Sequence, residues 1–247
     1  MSVKKHPEAK LMDIHTHILP GVDDGAQNIQ EALSLCHLAW EKGTRAILLT
    51  PHHRGIYKND PAILQAVFGN FRQTLKKELP KMSLYLGCEV RFGDDIQQKL
   101  ASGKLLCMAD SRYVLLEFAP TAFRAQIISG IIQCISAEKV PIIAHVERYS
   151  AFLSDLSLVD EVLKMGAYIQ LNADSVMGKH GFFVKRFCRK LLKAEKVHFI
   201  ASDAHDPKRR PPNLLRCYNR ICKKYGEKYA KRLFWRNPHA IIENKKI

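Results

Sequence analysis

Short apolar runs recur along the chain, each bounded by turn residues or an amphipathic stretch. They are LMDIH (11–15), RAILLT (45–50), SLYLGCEV (83–90), YVLLEF (113–118), VPIIAHV (140–146), AYIQLN (167–172) and VHFIAS (197–202). Their hydrophobicity is continuous rather than alternating, which fits strands buried on both faces, as in a parallel sheet. Helical patterns lie between them. Asn28 and Glu31 have capping-box spacing, followed by Ile29, Leu33, Cys36 and Trp40 on one face and Gly43 as a stop. Another stretch starts at Asp155 and closes at Gly166, and 61–79, 124–139 and 182–195 read as further helices. Seven strands alternating with helices predict β/α architecture. The 247 residues show no repeat and no linker, so the expectation is one domain over 1–247 and a closed barrel rather than an open doubly wound sheet.

In β/α barrels chemistry collects where strands end and loops begin. Here the first run leads into His15-Thr16-His17, the second into Pro51-His52-His53 and the third into Glu89. The fourth ends at Glu117, the fifth at His145, the sixth at Asn172 and the seventh at Asp203-Ala204-His205. Every run therefore ends in a group that can ligate or hydrogen-bond. Residues i and i+2 of an extended strand project to the same side, so His15 and His17 can reach one ion together, as can Asp203 and His205. Imidazole mixed with carboxylate suits Mn²⁺, Fe or Zn²⁺ better than Ca²⁺ or Mg²⁺. There are donors enough for two or three ions, and Glu89 could bridge a pair roughly 3.5–4 Å apart. Buried carboxylates are rare unless paired or metal-bound, which singles out Glu89 and Glu117. His37 and His198, isolated within a helix or strand, read instead as satisfied core residues, and His6, His180 and His239 as exposed.

Composition narrows the classes. Hydrophobic residues are 47% and charged residues 26%, so a normal core can form. No run approaches the ~20 apolar residues that span a bilayer, and the start lacks an apolar signal segment, so a cytoplasmic protein is expected. The seven cysteines are scattered, with no C-x-x-C pair, and read as small buried hydrophobes. None is followed six residues later by an arginine, which excludes a cysteine-based phosphatase loop. The net charge of +15 is concentrated at the end: residues 185–247 hold 19 Lys and Arg against 5 Asp and Glu. Such a surface attracts nucleic acid, anionic lipid or an acidic protein segment, or is a set of solvated helix faces.

The ordered motifs HTH with LPGVDDG, TPHH, GCEV, LLEF, AHVERY, LNADSVMG and SDAHD, over about residues 11–215, resemble the polymerase-and-histidinol-phosphatase (PHP) superfamily. Within it they are most similar to the bacterial manganese-dependent tyrosine-protein phosphatases of capsule and exopolysaccharide operons. The resemblance implies a distorted (β/α)7 TIM-like barrel, the PHP fold; the basic C-terminal segment from about 208 departs from the family pattern. It implies three Mn²⁺ ions: one at His15, His17, Glu89 and Asp203, one at Glu89, Glu117 and His145, and one at Asp24, His52 and His205. Arg148 and Arg210 match arginines that grip phosphate, although Arg209 is an alternative within KRRPP and His53 has no assigned role. In-line hydrolysis of phosphotyrosine by a hydroxide, without a phosphoenzyme, follows. The implied partner is the acidic, tyrosine-rich tail of a bacterial tyrosine kinase, with no membrane span but room for peripheral contact. A small-molecule phosphatase of histidinol-phosphatase type is the alternative enzyme. A nucleic-acid-binding PHP module is disfavoured, because basic and aromatic residues do not interleave as base-stacking surfaces require.

Overall fold

A computed structural model describes residues 10–57 and 60–247, so His6 and the segment before the first strand lie outside the described residues. Nine strands form: β1 (Leu11–Thr16), β2 (Thr44–Leu49), β3 (His52–His53), β4 (Ser83–Leu86), β5 (Glu89–Arg91), β6 (Tyr113–Glu117), β7 (Val140–Ile143), β8 (Tyr168–Asn172) and β9 (Phe199–Ala201). All strand pairs are parallel, in the orders β1-β2-β4 and β3-β5-β6-β7-β8-β9. One of the seven apolar runs, 83–90, is thus interrupted, and an extra short strand follows the run 45–50. Thr50-Pro51 separates β2 from β3, where Pro51 has no N–H for the ladder, and Gly87-Cys88 separates β4 from β5. A Cβ on Gly87 would stand 2.9 Å from Met108 Cα, so the chain passes there too closely for a side chain. The sheet curls until its first and last strands meet: Thr16 bridges Ala204, His17 N–H donates to Ala204 O at 2.8 Å, and Asp203 N–H donates to His15 O at 2.9 Å. The result is an α/β fold on a curled parallel sheet.

Two apolar layers hold it. Inside the curl, Met12, Ile14, Ala46, Leu48, Leu115, Ile142, Ala144, Phe199 and Ala201 meet one another, with Met108 and Ile241 filling one end. Outside, the helices pack their apolar stripes on the sheet. Helix Ile29–Glu41 shows how this happens locally. Asn28 Oδ1 accepts the Glu31 N–H at 3.0 Å, as the sequence predicts, but Glu31 returns its carboxylate to Gln27 N–H rather than to Asn28. Its buried face is Ala32, Leu35, Cys36 and Ala39, not the larger set of Ile29, Leu33, Cys36 and Trp40. Small residues let the helix backbone approach the sheet, and the larger side chains lie along the flank. The expected 155–166 helix forms as Ser157–Lys164, started by Asp155 Oδ1, which accepts from Ser157 N–H, and a separate short helix, Ser150–Ser154, precedes it. Pro61–Glu78, Arg124–Ser136 and Phe182–Lys193 form as expected to within a few residues.

Among the isolated histidines, His198 is half-buried, with Nδ1 3.3 Å from Ile169 N–H. His37 departs from its expected core role. It sits on the outer helix surface, ion-paired with Glu78 at 2.6 Å. Five of the seven cysteines are buried, Cys107 and Cys222 only partly, and all seven are free thiols.

The C-terminal residues seal the end of the curl opposite the polar strand ends. Tyr113, at the start of β6, donates its hydroxyl to Lys245 O at 2.6 Å, and Tyr168, at the start of β8, donates to Ile247 O at 3.0 Å. Helix Asn237–Ile242 drives Ile241, wholly buried, into the interior layer. We expect Ile241→Ala to destabilise the protein by about 2–5 kcal/mol, the usual range for a buried Ile cut to Ala. Chemical denaturation checks this, with activity per folded molecule unchanged because the site lies at the other end.

Candidate metal centre

Alternation along the strands delivers some of the polar side chains, and local irregularity delivers others. Leu115 and Ala201 face the interior layer, so Glu117 and Asp203, two residues on, face the same space. His15 and His145 break that rule, since their neighbours Ile14 and Ala144 already face inward. The β1–β2 register shifts between Asp13 and Thr16, an irregularity that re-aims His15. His145 adopts a left-handed conformation (φ 32°, ψ 56°) at the end of β7, and Asp203 has φ 55°. Such backbone in non-glycine residues persists only where surrounding structure fixes it.

His15 Nε2 lies 3.2 Å from His17 Nε2, 3.3 Å from Glu89 Oε1 and 3.5 Å from Asp203 Oδ1. His17 Nε2 lies 3.4 Å from Glu89 Oε2 and 3.4 Å from Asp203 Oδ1. Donors sharing one ion at metal–N and metal–O distances of roughly 2.0–2.2 Å stand about 3.0–3.5 Å apart, so these four groups fit a common cation. Beside them, His17, Asp24, His52 and His205 gather, and His52, Glu89 and Glu117 gather, each set offering one ligand atom per residue within 4.8 Å. His145 joins through Nε2, 2.8 Å from Glu89 Oε1, and groups with His15 and Asp203 rather than with Glu117. All nine expected ligands therefore come together. His53 belongs to none of these groups.

The buried atoms show that hydrogen bonds alone do not complete the cluster. Glu89 Oε2, Glu117 Oε2, His52 Nδ1 and His205 Nε2 are buried without a hydrogen-bond partner. His52 Nδ1 and Glu89 Oε2 are only 2.7 Å apart, yet not aligned as donor and acceptor. Lone pairs that converge without sharing a proton are what a cation satisfies. The carboxylates and His205 are in the states a cation needs, while His17 has to give up a proton to ligate one. Burial alone would raise the Glu89 and Asp203 carboxyls, but His15 and the other imidazoles, with Arg210 at Asp203, hold both well below the usual carboxylate range. Burial and the neighbouring His17 push His205 down to about 4, leaving a neutral imidazole. Against burial, the Asp23 carboxylate raises His17 well above its ordinary value.

Several groups at the centre escaped the sequence reading. Asp23 Oδ2 is 2.7 Å from His17 Nδ1 and accepts the His52 N–H at 3.0 Å, fixing how both ligands present themselves. Gln170 Oε1 contacts His15 Nδ1 at 3.2 Å and accepts the His145 N–H at 2.8 Å. Asn172, expected as a polar strand end, donates through Nδ2 to Asp203 Oδ2 at 2.8 Å, while the unanticipated Glu147 accepts the Asn172 N–H at Oε1. The Tyr149 hydroxyl stands 3.1 Å from His145 Nδ1. At the mouth, Arg148 Nη1 lies 3.1 Å from Asp203 Oδ2, and Arg210 pairs with the same oxygen. Arg209 instead uses its backbone, capping at Asp206 and accepting from Lys179. Two further arginines reach Glu117: Arg54 at 3.3 Å and Arg91 at 3.3 Å. Proximity in sequence was the available signal for these, since Asp23 adjoins Asp24, Arg54 follows His52-His53, and Arg91 is two residues beyond Glu89.

The chain is similar to known proteins over nearly its whole length. A family model described as "Capsular polysaccharide synthesis, CpsB/CapC" matches residues 11–243. The tyrosine-protein phosphatase CpsB of Streptococcus pneumoniae is 34% identical over 243 residues, covering 96% of this chain and 100% of that protein. The tyrosine-protein phosphatase YwqE of Bacillus subtilis is 31% identical over 239 residues, covering 96% and 91%. Crystal structures of YwqE and CpsB, described as unique metal-dependent tyrosine phosphatases, superpose with a TM-score of 0.90 at 31% identity over 96% of each chain. The lactonase Lmo2620 of Listeria monocytogenes shares the fold, with a TM-score of 0.65 at 11% identity, covering 97% of this chain and 96% of that one.

Two substitutions test the construction. Asp23→Asn removes the charge behind His17 and is expected to weaken divalent-metal binding about 10–100-fold, measured by calorimetric titration. Gly25→Ala would place a Cβ 1.8 Å from His17 O, so we expect it to lower the melting temperature and abolish tight metal binding.

Proposed function

The chain belongs to the CpsB/CapC family of capsular polysaccharide synthesis, and from that premise we propose that it is a metal-dependent phosphatase hydrolysing phosphotyrosine on proteins. The observation that carries the reading is the set of four donors beneath two arginines, in which His15 and His17 lie 3.2 Å from each other and 3.3–3.5 Å from Glu89 and Asp203. We assign one ion to these four, with Glu89 extending to a second site shared with Glu117 and His52, while His145 stands beside His15 and Asp203. Asp24, His52 and His205 form a third. Mn²⁺ is the proposed metal, Fe or Zn²⁺ being compatible with the same imidazole and carboxylate donors. When bound, the ions lower the pKa of water and draw charge off phosphate oxygens.

The chain's own residues do the rest. Arg148 and Arg210 present guanidinium groups, each about a third exposed, toward the space above Asp203. Arg148 stays fully charged: although burial opposes it, the carboxylates of Asp203 and Glu147 raise its pKa. A planar guanidinium matches two phosphate oxygens at once and gains strength as charge builds on them in the transition state. The two arginines therefore orient the phosphate over the donor cluster, and the phenolate departs toward open solvent at the mouth. Burial raises all seven cysteine thiols above their ordinary value, Cys36, Cys88 and Cys134 to about 12, which fits direct hydrolysis without a thiol nucleophile.

We read the curled sheet as a distorted (β/α)7 barrel in a single phosphoesterase domain. Counting β2 with β3 and β4 with β5 gives seven strands, and the Thr16–Ala204 bridge supports closure. The proposed substrate is an acidic, tyrosine-rich tail of a bacterial tyrosine kinase in the cytoplasm. Among the described residues no helix is long and apolar enough to cross a membrane.

Phosphate release from a phosphotyrosine peptide with Mn²⁺ tests the function. Turnover is expected to vanish after chelation and in His15→Ala, and to fall at least 10²-fold in kcat/KM for Arg148→Ala, the scale of a lost transition-state donor. A metal-loaded protein that leaves the peptide intact yet hydrolyses histidinol phosphate would replace this reading with the small-molecule one.

A further inference from the structure

The most exposed large apolar side chains are not scattered. Ile56 (90% exposed), Phe183 (84%), Phe123 (75%) and Phe182 (66%) exceed all others, and every one lies on a connection that leaves the C-terminal end of a strand. Ile56 follows β3, Phe123 follows β6, and Phe182-Phe183 follow β8 and its short helix Ala173–Met177. In a parallel sheet those ends share one face, the face that carries the metal centre. Phe182 and Phe183 meet edge to face with ring centroids 5.9 Å apart, and both project outward.

Beside this rim runs an uncompensated band of cations. Helix Phe182–Lys193 holds Lys185, Arg186, Arg189, Lys190 and Lys193 and no acidic residue. Its apolar side, Phe187, Cys188, Leu191 and Leu192, is buried, so the cations form the outer face. With Lys224 and Tyr225 they line an open groove of about 680 Å³ that ends at Phe182. Elsewhere basic residues find carboxylates, as in Lys196–Asp160, Lys179–Asp174 and Arg232–Glu195. Arg186, Arg189, Lys190 and Lys193 form no ion pair among the described residues.

We propose that this face docks on an anionic membrane surface, with Phe182 and Phe183 entering the headgroup boundary and the 182–193 helix holding lipid phosphates. Projecting aromatic side chains flanked by Lys and Arg are the signature of interfacial binding, and each cation near an anionic surface strengthens it. An acidic polypeptide is the competing ligand for the cations. It would occupy the groove and leave Phe183, Phe123 and Ile56, which do not line it, uncovered. Membrane docking accounts for both features, and it turns the mouth of the metal centre toward substrates held at the bilayer. It does not rest on the phosphatase reading.

The test is flotation of the full-length protein with vesicles of phosphatidylcholine alone or mixed with phosphatidylglycerol. Binding is expected only with phosphatidylglycerol, and it should weaken as salt rises. Phe182→Ala/Phe183→Ala and Arg186→Glu/Arg189→Glu/Lys190→Glu should each cut the bound fraction about tenfold or more. Unchanged melting temperatures would show that these exposed positions leave the fold intact. In Phe183→Trp, fluorescence should shift to the blue on adding phosphatidylglycerol vesicles. No vesicle binding at low salt, equal binding to both lipids, or binding indifferent to the phenylalanine substitutions would each overturn the proposal. So would saturable capture of polyglutamate without vesicle binding, which would assign the groove to a polypeptide.

Discussion

Glu89 and Asp203 carry charge where water does not reach, and the surrounding structure is arranged around that constraint. Removing an ion from water costs roughly several kcal/mol even after relaxation, so a buried carboxylate needs hydrogen-bonding partners or a cation beside it. Glu89 has His15, His17, His52 and His145 within 3.4 Å, and Asp203 has His15 and His17 on one oxygen and Arg148 and Arg210 on the other. These partners come from four different strand ends, those of β1, β3, β7 and β9. Only a sheet curled until β1 meets β9 brings them to one place, which ties the centre to the closing contacts at Thr16 and Ala204.

Outer groups then fix the donors. Asp23 and Gln170 occupy the Nδ1 sides of His17 and His15, which leaves both Nε2 atoms facing the shared space. Gln170, Asn172 and Asp203 form a hydrogen-bonded chain from β8 to the end of β9, so the carboxylate cannot swing away when its charge is neutralised. Positions held this way need little rearrangement to receive an ion, and the same rigidity is what preorganised catalysis requires. The arginines differ in kind. They stand at the mouth, partly exposed, free to exchange a carboxylate for a phosphate.

What the sequence made legible follows from how local each determinant is. His15 and His17, or Asp203 and His205, announce themselves through spacing, and Glu89 and Glu117 through the oddity of a carboxylate ending an apolar run. Asp23 and Asp24 are adjacent and similar, and only the folded loop shows that Asp23 turns inward to His17 while Asp24 faces His52 and His205. Arg54 and Arg91 look like ordinary surface cations until β3 and β5 align and bring both to Glu117. The helix face at 29–41 was misread for a related reason. Side-chain size marked Trp40 and Leu33, whereas close packing on the sheet selected Ala32 and Ala39. The expected αR-or-strand geometry likewise hid the left-handed turn that aims His145, since nothing but tertiary context selects it.

The central claim is that the converging lone pairs around Glu89 are completed by cations. Anomalous scattering at the manganese edge, from crystals grown with Mn²⁺, tests it most directly. The account predicts a peak bounded by His15, His17, Glu89 and Asp203, with further density beside His52 and Glu117. Crystals that bind manganese elsewhere while this cluster stays free of anomalous signal would contradict it.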